Sequence, residues 1–280
     1  IPRYISIDRS GGDEREFLND YFPTMSKLAT DVFLKGYQWP FDPRKIPDYG
    51  SSLIDVLVYI ETVIKGRRVY MDFRGNPLGD ERIGAFSFDD LEPEAYTYLK
   101  NSEALFGSPI QRLEKMNPLA IELYRKNGID LHREPLEVAV CSQHNNGGLA
   151  GDLWWESNIA GLYPIGEVNG SHGVYRPGGS ALNSGQVGSL RAAQKISHAP
   201  APGRSAGWEK TAGERGKAML SFIRNLSGPV STVAAYREEF QSRMTQYGAH
   251  IRDPRKIKGA LAAAYEQCSH AAEQKVAGRR

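Results

Sequence analysis

The sequence contains little cysteine and no cysteine pattern. Two cysteines, Cys141 and Cys268, stand far apart among 280 residues, outside any CxxC or mixed Cys/His spacing. This arrangement excludes a disulfide framework and a structural zinc site. We therefore expect two free thiols and no metal centre.

Net charge and long apolar runs are also scarce. The 35 Lys and Arg residues nearly balance the 33 Asp and Glu residues, and a net charge of +2 gives no electrostatic footprint for nucleic acid. No apolar run approaches the roughly 20 residues of a membrane helix, and the N-terminus lacks the apolar centre of a secretory signal. We expect a cytoplasmic protein with no nucleic-acid partner and no membrane span.

Apolar residues and glycine together make up about half of the chain, which excludes a disordered or fibrous protein. At roughly 100 to 200 residues per domain, the length suggests two compact units. Composition divides the chain into three ranges, 1–135, 136–190 and 191–280. The fold class that they indicate is α+β.

The first range, 1–135, mixes helical and strand patterns. SSLIDVLVYIETVIKG is a helical pattern that its two serines can cap and Gly66 can close, and RRVYMDF directly after it is a β-type run. PEAYTYLKNSEALFG and NPLAIELYRKNG are further helical patterns. This range is therefore predicted to be an α+β unit.

The last range, 191–280, is basic and helical. It carries a charge of +9, against −7 for the rest of the chain. Three segments have the apolar spacing of amphipathic helices: RGKAMLSFIRNL, VSTVAAYREEFQSRMTQYG and PRKIKGALAAAYEQCSHAAEQKV. The positive charge fits either their solvated faces or a basic docking surface for another chain.

The middle range, 136–190, is rich in glycine. LEVAVCSQ and AGLYPIGEV are predicted to be buried strands, and RPGGSALNSGQVG is a glycine turn that leads into a helix. Unpaired N–H groups in the first turn of that helix suit a phosphate, a carboxylate or the edge of a flavin ring. Arg176 precedes this turn and suits a carboxylate, although a glycine-rich turn with an exposed arginine explains the same residues.

This middle range resembles the flavoprotein subunits of succinate dehydrogenase and fumarate reductase, with L-aspartate oxidase and related FAD-dependent proteins. The family pattern consists of GLYAAGE, a short spacer and HGANRLGGNSL. It aligns with GLYPIGEVNGSHGVYRPGGSALNSGQVG of this chain without insertion or deletion. The family's GIDP–KEPIPV–P–HYTMGG corresponds to GIDLHREPLEVAVCSQHNNGG, and GRRVYMD resembles its GRGVYLD. The resemblance covers about residues 50–255, with 128–190 as its diagnostic part. Eleven positions match in the first run: Gly161, Leu162, Tyr163, Gly166, Glu167, His172, Gly173, Arg176, Gly178, Gly179 and Leu182.

The resemblance implies a domain order and a cofactor. It makes 1–135 a capping-like domain, 136–190 the C-terminal segment of an FAD-binding α/β domain, and 191–280 a helical region. The family's N-terminal GxGxxG unit has no counterpart in these 280 residues. We therefore expect FAD as cofactor, with a partner that supplies a nucleotide-binding half or accepts electrons. Exposed sheet edges would also allow a homo-oligomer.

The resemblance also assigns cofactor-binding residues. Glu167 stands where the family's glutamate accepts hydrogen bonds from the ribityl hydroxyls of FAD. Ala181 and Leu182 stand where backbone N–H groups at a helix start face the flavin ring. The glycines of the same cofactor site are Gly147, Gly148, Gly178 and Gly179.

On the substrate side, Arg176 stands where the family's arginine binds a carboxylate. The family's substrate-binding histidine is replaced by Gln143, which can donate a hydrogen bond but carries no charge, and His144 takes the next position. His172 is either a catalytic residue or a structural residue of the turn.

The place of the family's proton-donating arginine falls near Ser52, and no arginine occurs between Arg44 and Arg67. Arg44, Arg74 or, as a general acid, Tyr175 are alternatives for this role, although a structural role also explains the tyrosine. We therefore expect a carboxylate-bearing small molecule other than fumarate as substrate.

Two functions follow from these residues. In the first, the chain is part of an FAD-dependent oxidoreductase that transfers hydride between flavin and a carboxylate-bearing small molecule. The alternative is a non-catalytic interaction or regulatory chain that retains a flavoprotein scaffold. The pair Trp154 and Trp155 either lines a substrate pocket or packs under a loop.

Overall fold

The computed structural model describes residues 1–38, 41–141, 147–172, 179–200, 206–225, 228–231, 233–249 and 251–276. The chain divides into two compact units. Unit 1 consists of residues 1–147 and 170–183, and unit 2 consists of residues 148–169 and 184–280. The division into three domains at 1–135, 136–190 and 191–280, derived from composition, stays a prediction.

Unit 1 contains a small antiparallel sheet. Its strands are β1 (Arg3–Ile7), β2 (Glu14–Arg15), β3 (Arg68–Asp72) and β4 (Leu136–Val138), in the spatial order β2-β1-β3-β4. The β-type run RRVYMDF is thus confirmed as β3. Among the described residues of the run LEVAVCSQ, up to Cys141, only β4 forms a strand, and that strand is half-exposed to exposed rather than buried.

The helices of unit 1 are α1 (Met25–Tyr37), α2 (Leu53–Tyr59), α3 (Pro93–Asn101), α4 (Pro109–Met116) and α5 (Pro118–Lys126). The last turns of the predicted helix at 51–66 are π-helical, over Ile60–Ile64, and Gly66 follows with a φ of +67°. Mixed helix and antiparallel sheet confirm the α+β character of the chain.

Ser52 does not cap α2 as its sequence predicts. Its backbone is already helical and its side chain makes no capping hydrogen bond. The buried Ser52 hydroxyl instead accepts a hydrogen bond of 3.0 Å from the backbone N–H of Asp42. The hydroxyl is therefore used to hold a neighbouring loop.

The apolar core of unit 1 lies between the sheet and its first helices. Phe17, Phe22, Ile54 and Val69 are at most 1% exposed and belong to one cluster. Because α1 and α2 contribute one apolar face each to this cluster, their amphipathic pattern is satisfied within the unit.

Unit 2 is mainly helical. Helix α6 (Ser180–His198) begins in unit 1 and continues through unit 2, followed by α7 (Trp208–Asn225), α8 (Val233–Arg243) and α9 (Pro254–Glu273). A short parallel pair joins β5 (Gly228–Ser231) to β6 (Gln274–Val276). The three helices predicted after residue 200 are confirmed as α7, α8 and α9. The amphipathic pattern is confirmed for α7 and α9 and is wrong for α8, whose apolar residues are not gathered on one face.

The predicted strand AGLYPIGEV is wrong. Residues 160–165 form turns and irregular backbone, and Gly166–Asn169 form a 3-10 helix. Gly161 and Gly166 both have a φ of +80°, which a strand does not accommodate. Pro164 between them has no N–H to donate to a sheet.

None of the helices in the described ranges combines the length and the apolar character needed to cross a bilayer.

A buried carboxylate joins the sheet to the loop after it. The side chain of Asp72 is fully buried and binds Arg3, and it accepts hydrogen bonds of 2.9 Å from the backbone N–H and 2.8 Å from Nε of Arg74. Burial alone would raise the pKa of Asp72. The hydrogen bonds from Arg74 and Arg3 outweigh burial and lower the pKa to about 2.

Replacing Asp72→Asn tests the contribution of this carboxylate to stability. The folded pKa of about 2 lies below the value of about 3.9 for an unfolded chain, so the ion pairs stabilise the fold by about 2 kcal/mol above pH 4. That contribution is lost as the pH falls from about 4 through about 2. We expect the variant to lose about 2 kcal/mol of unfolding free energy at pH 7 and little at pH 2, measured by urea denaturation.

The control is Asp89→Asn, which removes an exposed carboxylate of the same unit. It should leave the unfolding free energy unchanged at both pH values. An equal loss for Asp72→Asn at pH 7 and pH 2 would contradict the ionic contribution.

Candidate functional site

The start of α6 has the form that the sequence predicts. Gly179 adopts a φ of +78°, and the helix begins at the next residue, Ser180. Ala181 is half-buried, and the Leu182 side chain is 77% exposed. The N–H groups of the first turn have no intrahelical acceptor, and a helix of 19 residues adds partial positive charge at this end.

Glu167 lies in the 3-10 helix Gly166–Asn169 of unit 2. Its side chain is exposed, and it makes no hydrogen bond or ion pair with any other described residue. Both carboxylate oxygens can therefore accept hydrogen bonds from a bound molecule.

Two hydrogen bonds hold the Glu167 turn to the chain segment that enters unit 2. The N–H of Leu149 donates to the carbonyl of Val168 over 2.8 Å, and Nδ2 of Asn169 donates to the carbonyl of Leu149 over 3.2 Å. On the other side, a Cβ at Gly185 would lie 3.7 Å from Cα of Gly166. The turn thus runs in backbone contact with α6, five residues after the helix begins.

An ion cluster joins the loop 151–161 to the same helix. The Lys195 ammonium binds the carboxylates of Asp152, over 3.2 Å, and of Glu156. Hydrogen bonds from the backbone N–H groups of Glu156 and Trp154 lower the pKa of Asp152. A hydrogen bond from the Gly161 N–H, followed by one from Lys195, lowers the pKa of Glu156, and the bond to Glu156 raises the pKa of Lys195. All three groups are consequently charged at neutral pH.

The tryptophan pair packs against α6. A Cβ at Gly188 would lie only 2.8 Å from Cε2 of Trp155, so the indole lies directly on the helix backbone. The Arg191 guanidinium lies 4.9 Å from the ring centroid of Trp154 and 5.9 Å from that of Trp155, within cation–π range. Trp155 thus packs from the loop onto α6, while Trp154 is 38% exposed. A role of the pair in a substrate pocket or against a flavin stays a prediction.

Sequence reasoning missed the α6 face that receives this loop. Gly185, Gly188, Ala192 and Lys195 follow one another at three- and four-residue spacing, which puts them on one side of the helix. Gly188 and Ala192 are buried. The sequence does signal this packing face, because small residues recur at helical spacing. The glycines of this range were instead interpreted as places where the backbone approaches a ligand, and the packing face was therefore not predicted.

The other predicted site residues are placed as follows. Gly147 and Gly148 are exposed and lie outside helices and strands, and His172 is half-buried with both ring nitrogens screened from solvent. Four of the predicted residues lie outside the described ones: Gln143, His144, Arg176 and Gly178. Tyr175, the alternative general acid, also lies outside them.

The two arginines considered as proton donors are bound to carboxylates within unit 1. Nε and an Nη of Arg44 donate to Asp42, with the shortest distance 3.0 Å, and Arg74 donates to Asp72 in the same forked manner. The Arg74 guanidinium also donates to the carbonyl of Arg133 over 3.1 Å. Ser52, near the family's arginine position, is buried, and its hydroxyl accepts a hydrogen bond from the backbone N–H of Asp42.

The described residues fit the FAD site that the resemblance implies. Glu167 offers uncommitted acceptors, as ribityl hydroxyls require, and no described atom lies within 4 Å of the position that a Cβ of Gly179 would take. Within the same ranges, no group of three His, Cys, Asp or Glu side chains is arranged to hold a metal ion.

No protein-family model matches the chain. Curated proteins match parts of it. Over 80 residues it is 39% identical to a fumarate reductase (CoM/CoB) subunit of Methanothermobacter marburgensis, covering 28% of this chain and 14% of that protein. An uncharacterized FAD-dependent oxidoreductase of Methanocaldococcus jannaschii is 39% identical over 80 residues, 28% of this chain and 15% of that protein. L-aspartate oxidase of a Nostoc species is 32% identical over 200 residues, 67% of this chain and 32% of that protein.

The chain thus spans from about one seventh to about one third of the length of these relatives. Over these stretches, the comparisons confirm the similarity to FAD-dependent flavoproteins of the fumarate reductase and L-aspartate oxidase type.

Proposed function

We propose that this chain is part of an FAD-dependent oxidoreductase that transfers hydride between flavin and a carboxylate-bearing small molecule other than fumarate. It contributes a capping-like domain, the second segment of the FAD-binding domain and a helical region. A partner or a further segment with a nucleotide-binding unit completes the cofactor site.

The observation that carries this proposal is the geometry of the matched run. Eleven positions of the family pattern occur in order between Gly161 and Leu182. Within that run, Glu167 is exposed and has no hydrogen-bond or ion-pair partner among the described residues, and α6 begins at Ser180, directly after a glycine with positive φ. An acceptor for hydroxyls and a set of N–H donors are the two elements that this cofactor needs from the segment.

The residues of this chain have separate tasks in the proposal. Glu167 accepts hydrogen bonds from the ribityl hydroxyls of FAD, which keeps the cofactor bound. The first-turn N–H groups of α6, at Ala181 and Leu182, stabilise negative charge at the flavin edge. Arg176 pairs with the substrate carboxylate and orients the bond that reacts. When bound, FAD supplies the acceptor or donor of the hydride.

One observation favours the alternative of a non-catalytic interaction or regulatory chain. Ser52, near the position of the family's proton-donating arginine, is 2% exposed and its hydroxyl accepts a hydrogen bond from the N–H of Asp42. This position therefore offers no proton to a substrate. If no other group supplies one, the scaffold would bind a partner without turnover.

The first prediction concerns FAD binding by the 280-residue chain. Adding FAD should give saturable quenching of flavin fluorescence, and Glu167→Ala should weaken the affinity about tenfold to a hundredfold. The reason is that hydrogen bonds to a charged acceptor contribute about 1.5 to 3 kcal/mol. The matched control is Glu214→Ala, an exposed carboxylate of α7.

Equal affinity of Glu167→Ala and wild type would remove the role assigned to Glu167. Absence of binding by the 280-residue chain alone would mean that the cofactor site depends on the nucleotide-binding half. Absence of binding with that half present would favour the interaction alternative over the oxidoreductase.

The second prediction concerns Arg176 in the flavin-loaded protein. Arg176→Ala should lower kcat/KM for a carboxylate substrate about 30-fold or more, because it removes a forked ion pair worth about 2 kcal/mol or more. Its flavin content should stay near that of wild type. Rates are measured as flavin reduction or oxidation in a screen of small carboxylic acids.

Arg176→Lys serves as the comparison, since it keeps the charge but loses the forked geometry. Its kcat/KM should lie between those of wild type and Arg176→Ala. Turnover by Arg176→Ala at the wild-type rate would contradict carboxylate binding by this side chain.

A further inference from the structure

The loop that precedes Glu167 is held against α6 at two places that no cofactor role explains. One is the indole of Trp155 on Gly188, and the other is the ion cluster of Lys195 with Asp152 and Glu156. Both helix residues lie on the α6 face that also meets the Glu167 turn at Gly185.

Trp155 adopts an unfavourable conformation in this contact. Its φ of +62° is rare for a bulky side chain, and its indole N–H is buried without an acceptor among the described residues. Each feature costs free energy, so the surrounding contacts must determine this geometry. The surrounding contacts are the packing of the indole on Gly188 and the cation–π contact with the Arg191 guanidinium.

Lys195 is linked through its two carboxylate partners to the backbone of the loop. Asp152 accepts hydrogen bonds from the N–H groups of Trp154 and Glu156, over 2.8 and 2.9 Å. Glu156 accepts one from the N–H of Gly161, over 2.8 Å. The ammonium therefore fixes both ends of the loop 152–161 to α6.

The loop leads directly into the Glu167 turn. Only five residues separate Gly161, held through Glu156, from Glu167, and the far end of the turn is held by the bonds of Val168 and Asn169 with Leu149. Gly166 itself lies in van der Waals reach of a Cβ at Gly185. The direction in which Glu167 leaves the turn thus depends on how the loop is held on α6.

We propose that Lys195 and Trp155 are positioning residues for Glu167: they hold the loop 152–161 against the Gly185–Gly188–Lys195 face of α6 and so fix the carboxylate in the orientation that binds the ribityl chain. Neither residue touches the cofactor. The flavin part of this inference rests on the proposed function, whereas the link from Lys195 to the loop is a property of the chain without ligand.

The first test is hydrogen–deuterium exchange on the ligand-free chain. Lys195→Ala should speed exchange of the Gly161 and Leu149 amides about threefold to tenfold, because two ion pairs that each contribute little at a surface are lost together. Lys195→Arg should restore slow exchange, since it can bind both carboxylates. The matched control is Lys210→Ala, an exposed lysine of α7 in the same unit, which should leave both amides unchanged.

The second test is FAD affinity of the same variants. Lys195→Ala should weaken binding about threefold to tenfold, and Lys195→Arg should recover most of the loss. Gly188→Ala should weaken binding as well and alter the near-ultraviolet circular dichroism, because its Cβ would lie 2.8 Å from Trp155 and displace the indole. Its control is Gly216→Ala, a helical glycine with no atom within 4 Å of the added Cβ.

Each outcome decides a separate claim. Unchanged exchange at Gly161 and Leu149 in Lys195→Ala would overturn the link between the helix and the loop, whatever the flavin data show. Faster exchange with unchanged FAD affinity would overturn the positioning of Glu167 alone. If the wild-type chain binds no FAD even when the nucleotide-binding half is supplied, the proposed function fails, and with it the flavin role of Lys195 and Trp155, while the exchange result still decides the link between the helix and the loop.

Discussion

The arrangement of the candidate site depends on one constraint, the absence of a side chain at Gly188. A Cβ there would lie within 3 Å of the Trp155 ring, so only glycine lets the loop lie on α6. With the indole on Gly188, Arg191 of the same helix contacts the Trp154 and Trp155 rings, and Lys195 binds Asp152 and Glu156 of the loop. The Glu167 turn follows from that placement, because the loop runs into it without a further element.

The two units are stabilised internally by different physical means. Unit 1 buries a continuous apolar cluster, and its buried carboxylates Asp72 and Glu61 are each bound by two or more cationic side chains. Unit 2 buries little apolar surface among its described residues, with Ala192 as a buried hydrophobic side chain. Its loop is fixed by close contact with the backbone of Gly188 and by the ion pairs of Lys195. Salt weakens ion pairs between exposed groups, whereas it does not weaken a packed apolar core in this way. We therefore expect the candidate site to be the more salt-sensitive part of the chain.

Residue patterns within one segment predicted most helices and the strand β3. Contacts between segments distant in sequence were not predicted. The helices α7 and α9 follow from apolar spacing alone, and β3 follows from a β-type run after a helix-closing glycine. The strand expected at 160–168 failed because a short apolar run does not distinguish a strand from a series of turns when glycine and proline interrupt it. Glu167 was found through the resemblance. Lys195 was missed because its partners stand about 40 residues away, and no local pattern signals such a pair.

Under the proposed function, reduction of a carbon–carbon double bond would require a proton donor as well as the hydride from the flavin. An arginine bound by a carboxylate is a weaker proton donor, and the forked hydrogen bond to Asp72 raises the pKa of Arg74. Arg44 is bound in the same forked manner to Asp42, whose position depends on Ser52. Ser52, near the position of the family's arginine, thus holds the backbone of the residue whose carboxylate binds Arg44. Within unit 1, the described arginines considered for this role are therefore held in structural ion pairs. A reaction of the proposed kind would need another group to give the proton on reduction or to accept it on oxidation.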